Sequence, residues 1–168
     1  MWSVIQVRTG MEEETRKQCE KIIDKEVLEK SFIPMYEQEQ KYQGKWHKEL
    51  KVLFPGYVFL TSEDEEKLFY ELKRIIGLTK LLGTGETVVP LTDEELSFLL
   101  KLGGVEQTVE ISEGMIESGR VVVTSGPLKG NEGFIKKIDR HKRKAWLEIE
   151  MFGRTVEMQG GLEVVGKR

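Results

Sequence analysis

The chain has 168 residues, enough for one ordinary domain or for a domain of about 100 residues followed by a small barrel. No apolar run approaches the roughly 20 residues a membrane helix needs. The start "MWSVIQVRTG" lacks the basic head and long apolar stretch of a secretory signal, and one cysteine with two histidines makes neither a disulfide nor a zinc site. The net charge of −3 hides an asymmetry: residues 116–168 carry 11 Lys+Arg against 7 Asp+Glu, and residues 1–115 carry 15 against 22. A polyanion would therefore be met through patches and not by the whole surface. The expected setting is the cytoplasm, with no membrane contact, no metal and no cofactor.

"WSVIQVR" (residues 2–8) alternates loosely, is rich in β-branched residues and reads as a strand. Thr9 with Glu12 has the spacing of a capping box. In the helix that should follow, Cys19, Ile22, Ile23 and Leu28 form an apolar stripe. "SFIPMYEQEQKY" (31–42) is extended, with Pro34 arguing for an edge or an early position. "LKVLFPGYVFL" (50–60) is an apolar strand interrupted by Pro55-Gly56. Ser62 with Glu65 and Thr92 with Glu95 are two further capping boxes, each opening a helix; "TGETVVPL" (84–91) between them reads as a turn and a strand. Strand-helix-strand-strand-helix-strand is the order of a ferredoxin-like α+β sandwich.

From 103 to 117 the pattern weakens. "GGVEQTVEISEGMIE" opens on two glycines and holds four glutamates with no Lys or Arg, so it reads as a linker or a poorly packed connection. Short strands then recur around Val121, Ile135, Trp146-Leu147, Val156 and Val164, as in a small five-stranded β-barrel. The expected division is 1–104, a linker at 105–115, and 116–168. The last segment is near the lower size limit for an independent core.

Two basic stretches stand out. "KYQGKWHKELK" (41–51) has Lys41, Lys45, Lys48 and Lys51 around Tyr42, Trp46 and His47. "KKIDRHKRK" (136–144) has Lys136, Lys137, Arg140, Lys142, Arg143 and Lys144 against Asp139 and beside His141. One reading makes both the solvated turns of hairpins. The other makes them RNA-facing, with cations on phosphates and Trp46 or Tyr42 stacked on an unpaired base. Cys19 reads as a buried helix residue. His47 and His141 lack an Asp, Ser or Cys partner for triad chemistry, and the glycines of "VTSGPLKGNEGFIKKID" do not form a Walker loop. No enzyme is expected.

"LFPGYVFL" resembles the FPGY signature of the NusG N-terminal domain. "VVVTSGPLKGNEGFIKKID" with "LEIEMFGRTVEM" resembles the KOW domain that follows it in NusG proteins. Order and spacing agree over almost the whole chain. Departures such as "VRTGMEEE", "LFYELKRIIGLTKLLGTG" and Ser3 look more like the specialised paralogues of the LoaP antiterminator group. The resemblance implies a monomeric, non-enzymatic elongation factor. Leu53, Phe54, Pro55 and Tyr57 would face the β′ clamp helices of RNA polymerase. A nascent RNA hairpin would recruit the protein through the basic stretches. Phe152 and Arg154 would lie where the KOW domain meets Rho or a small-subunit ribosomal protein. From the residues alone, Phe54, Tyr57 and Phe152 could equally be core. A housekeeping NusG without RNA specificity and a ribosome-associated KOW protein stay open as alternatives.

Overall fold

A computed structural model of the chain describes residues 1–75 and 88–167. The turn expected at 84–87 and part of the "LFYELKRIIGLTKLLGTG" stretch lie outside the described residues. In chain order the elements are β1 (Trp2–Gln6), α1 (Glu12–Ile22), β2 (Lys30–Phe32), β3 (Met35–Tyr42), β4 (Lys45–Val52), β5 (Tyr57–Thr61), α2 (Glu65–Leu72), β6 (Val88–Pro90), α3 (Asp93–Gly103), β7 (Thr108–Val109), β8 (Ser112–Glu117), β9 (Arg120–Ser125), β10 (Ile135–Asp139), β11 (Lys144–Met151) and β12 (Arg154–Lys167). The class is mixed α+β, as expected. Two compact units emerge: Met1–Ile33 with Phe54–Leu96, and Pro34–Leu53 with Ser97–Arg168. Among the described residues no helix is long and apolar enough to cross a membrane.

The first unit is built on one sheet of order β2-β5-β1-β6, every pair antiparallel. With α1 and α2 in their chain positions this is the ferredoxin-like arrangement. Strand alternation divides its side chains. Ile5, Val58 and Leu60 join Cys19 of α1, Ile23 just past its end, and Leu68 and Leu72 of α2 in one buried cluster. The opposite face is aromatic. Trp2 meets Phe32 edge-on at 4.9 Å between centroids, Phe32 meets Phe59 at 5.5 Å, and Phe54 meets Phe59 at 5.8 Å.

The extended stretch 31–42 is two strands, not one. Buried Pro34 separates them, and its carbonyl accepts the Leu53 N–H at 2.9 Å. Of the three capping boxes only Thr92–Glu95 forms, with reciprocal bonds of 3.1 and 2.9 Å. At α2 the cap is Asp64, whose carboxylate accepts the Lys67 N–H at 3.1 Å, while the Ser62 hydroxyl accepts the Asp64 N–H at 3.0 Å. At α1 no side chain caps the start. Glu12 is drawn instead to the N–H groups of Gly10 and Gly56.

The second unit holds a five-stranded sheet of order β10-β11-β12-β8-β9 and a three-stranded sheet of order β4-β3-β7. The strand count matches the barrel expectation, but the two outer strands, β10 and β9, do not pair. The strand assignment also differs. Val156 and Val164 lie on a single 14-residue strand, β12, and β8 arises from the stretch read as a connector. Gly160-Gly161 is not a break. A Cβ at Gly161 would sit 2.4 Å from the Glu37 carbonyl oxygen, and one at Gly160 would press on Leu128 at 3.3 Å. Gly161 lets β12 run close to β3, and Gly160 makes room for Leu128. Likewise Ser112 is fully buried because Gly126 leaves room for it, a Cβ there falling 2.6 Å from Ser112. Close approach and turn breaking use the same residue type, so the sequence pattern alone does not separate them.

Candidate functional site

The FPGY segment forms a tight turn between β4 and β5. Gly56 adopts φ +89°, which favours glycine. The Tyr57 N–H reaches the Phe54 carbonyl at 3.2 Å, and the Val7 N–H reaches the Gly56 carbonyl at 2.8 Å. Leu53 and Phe54 are each 1% exposed and Tyr57 is 8% exposed, while Pro55 is exposed. Of the four residues expected to face polymerase, Pro55 alone therefore presents its side chain at the surface.

The basic stretches behave differently. β3 and β4 pair in register from Met35↔Val52 to Tyr42↔Lys45, closed by Gln43 and Gly44, both with positive φ. Positive φ at both central residues defines the type I′ hairpin turn. β10 and β11 close over residues 140–143, where the Asp139 carboxylate accepts the Lys142 N–H at 3.0 Å. That hydrogen bond holds the Asp139 carboxyl below its usual range.

These two turns, far apart in sequence, meet in the second unit. The Arg143 guanidinium lies 3.7 Å over the Trp46 ring. It also pairs with Glu39 and lies 3.6 Å from Glu163. Lys41 adds its ammonium 5.8 Å from the same ring. Lys41, Trp46, Arg140, His141 and Arg143 line one cavity of about 570 Å³. Lys41, Trp46, Lys51, Lys142 and Lys144 line another of about 500 Å³. Trp46 and Arg143 are thus the hinge between two patches that are separate in the sequence.

The remaining basic residues are arranged less uniformly. Lys48 and Lys51 are exposed but lie 3.6 Å from Glu37 and 3.3 Å from Glu49. Lys45 and Lys136 are exposed and line neither cavity. His47 stacks on Tyr42 at 3.8 Å and 12°, so its ring is engaged within the hairpin. Lys137 and Lys144 place their ammonium groups 4.9 and 4.7 Å from the Trp146 ring. Burial, and then the Lys142 charge, pull the Lys144 ammonium below the ordinary lysine range.

Several polar and aromatic neighbours escape a reading of the sequence. Trp146 extends the cationic surface along β11. Alternation in "KAWLEIEM" carries the signal, since buried Ala145, Leu147, Ile149 and Met151 leave Lys144 and Trp146 on the other face. Tyr36, Gln38 and Gln159 form the inner wall of the 500 Å³ cavity. The Tyr36 hydroxyl lies 3.1 Å from Gln159 Oε1 and 3.3 Å from Gln38 Oε1, and Lys144 donates to Gln159 Oε1 at 3.2 Å. No sequence pattern pairs Gln38 with Gln159.

Phe152 and Arg154 occupy the β11–β12 turn, at the opposite end of β11 from Lys144. At about 3.4 Å per residue the strand puts over 20 Å between them. Phe152 and Gly153 have φ +57° and +73°, another type I′ turn. Phe152 is 5% exposed, and Arg154 is exposed.

The family model described as transcription termination factor nusG matches residues 1–100. The chain belongs to the NusG family. The transcription termination/antitermination protein NusG of Staphylococcus epidermidis is 28% identical over 174 residues, spanning 99% of this chain and 94% of its own length. The same-named protein of Staphylococcus carnosus is 28% identical over 175 residues, with the same coverage. A solved structure describing domain interaction in Thermotoga maritima NusG superposes with a TM-score of 0.56 at 23% identity, over 94% of this chain and 91% of that one. That likeness supports the fold. Family membership makes this chain a transcription termination/antitermination factor of NusG type.

Proposed function

We propose that this NusG-family protein is a LoaP-like antitermination factor, recruited to transcribing RNA polymerase by a hairpin in the nascent RNA. The observation that carries the reading is the convergence of Lys41 and Trp46 from one hairpin with Arg140, Lys142, Arg143 and Lys144 from another around shared cavities. Cations placed this way neutralise phosphates. Aromatic rings among them suit unpaired bases. An acidic remainder confines RNA to this surface.

The first unit would hold polymerase through the FPGY turn, against the β′ clamp helices, and favour the non-paused conformation by binding it better. Pro55 offers the exposed contact there, and Leu53, Phe54 and Tyr57 shape the turn from beneath. Phe152 and Arg154, remote from the basic surface, leave room for a second partner, Rho or a small-subunit ribosomal protein. The protein would act by binding alone, without covalent chemistry.

Gel-shift or calorimetric titration with leader RNA hairpins tests the reading, with scrambled sequences as controls. Tight binding to a hairpin, weak binding to its scramble, and loss of both on reversing the charges of Arg140 and Lys142 are the expected results. Equal and weak binding to all RNAs would instead favour a general NusG, without RNA specificity.

A further inference from the structure

The cavity of about 500 Å³ between the β3–β4 hairpin and the β10–β11 turn has an uneven chemistry. Its size falls within the ~300–1,000 Å³ range of sites that bury a small organic group. Its lysines, Lys41, Lys51, Lys142 and Lys144, only donate hydrogen bonds. Of its three amides, Gln38, Gln40 and Gln159, two have their oxygens engaged. Gln159 Oε1 is taken by Lys144 and Tyr36, and Gln38 Oε1 lies against the Tyr36 hydroxyl. With its oxygen engaged, Gln159 has its amide nitrogen left to donate. The carboxylate of the wall, Glu39, is already held by Arg143. Donors therefore outnumber free acceptors, and Trp46 supplies an aromatic wall.

We propose that this slot takes one unpaired nucleotide of the bound RNA and prefers keto bases, uracil or guanine, over the amino bases adenine and cytosine. The inference rests on the RNA reading above and names what that surface reads. Guanine presents O6 and N7 side by side, and uracil presents carbonyl oxygens. Adenine and cytosine each put an amino donor where the slot already has donors. RNA sequence is read mainly on unpaired bases, through stacking and their exposed edges. The stem phosphates would lie on the surrounding cations, and the slot would choose the loop or bulge.

The test uses the full chain and hairpins with one fixed stem and homopolymeric loops of uridine, inosine, adenosine or cytidine. Keto loops should bind about tenfold tighter than amino loops, the discrimination that one good base contact supplies. In Gln159→Leu the preference should collapse to about twofold or less while stem affinity stays. Gln159 is half-buried, so this variant is expected to fold; Lys144→Gln is the second variant, should circular dichroism show otherwise. Equal affinity for all four loops, with the stem still bound, overturns the slot and leaves RNA recruitment intact. A preference that survives both folded variants also overturns it. Absence of binding to every hairpin defeats the slot and the RNA reading together.

Discussion

The FPGY turn and the paired basic turns are both loops that follow strands, and both are expected to meet a partner. Their side chains lie differently. Leu53, Phe54 and Tyr57 are buried beneath their turn, while Lys41, Lys45, Arg140 and Lys142 stand out from theirs. Apolar burial accounts for the first case: Phe54 packs against Phe59, itself 0% exposed, within an aromatic sheet face. Charge accounts for the second, because an ammonium or guanidinium keeps its head in water unless it is paired. A residue type therefore indicates its depth more reliably than its partner. A signature rich in aromatics can mark a surface by shaping it from inside.

That contrast can be broken by substitution. The largest effect should come from Phe54→Ala, which empties a fully packed site and should cost about 3–5 kcal/mol of stability. Pro55→Ala, at the exposed tip, should change stability by about 0.5 kcal/mol or less and lower clamp-helix binding. Denaturant midpoints and pull-downs with isolated β′ clamp helices separate the two. A stable Phe54→Ala protein that has lost only polymerase binding would move Phe54 to the surface.

At the basic turns a smaller change is expected. Replacing Arg140 and Lys142 with Gln should weaken RNA binding and reduce the slope of log affinity against log salt by about 0.7–0.9 for each phosphate no longer neutralised. The same substitutions at Lys45 and Lys136, which line neither cavity, should alter the slope less. Equal effects from both pairs would mean a diffuse field and no focused surface.

The two ends of the C-terminal β unit also differ in where they can be cut. β8 pairs with β12 on one side and β9 on the other. A fragment starting at residue 116 cuts through β8 and should show broad amide spectra, whereas one starting near 105 should show better-dispersed β shifts. Helical shifts for this segment in the intact chain would contradict strands β9 to β12. The valines at 121–123 and the turns at Gly126-Pro127 and Gly130 argue against that helix.

The smallest expected effect is a null one. Burial, and then Glu20, push the Cys19 thiol up to about 12. Folded protein at neutral pH should therefore resist thiol reagents that label it promptly once unfolded. Prompt labelling in the native state would show that α1 opens.

Periodicity and turn chemistry make much of this legible in the sequence. The Cys19–Ile23 stripe, the Pro55-Gly56 break and the Thr92–Glu95 box read directly, because each is a local pattern with a local cause. What escapes is non-local. Gly161 reads as a breaker because its neighbour Glu37 lies more than a hundred residues away in the chain. The spacing of Glu12 suggests a cap on Thr9, but its carboxylate bonds the N–H groups of Gly10 and of distant Gly56 instead. Both basic stretches are visible, yet nothing in their spacing shows that Arg143 lies on Trp46, or that Tyr36, Gln38 and Gln159 gather beside them.

The meeting of the two basic turns on one RNA-binding surface is tested most directly by an amide and indole NMR titration with a hairpin RNA. On a single surface, the Trp46 indole, the Lys41 and Lys51 amides and the amides of residues 140–144 shift together, along one saturation curve. Shifts confined to one of the two turns, or titrating with different midpoints, would contradict it.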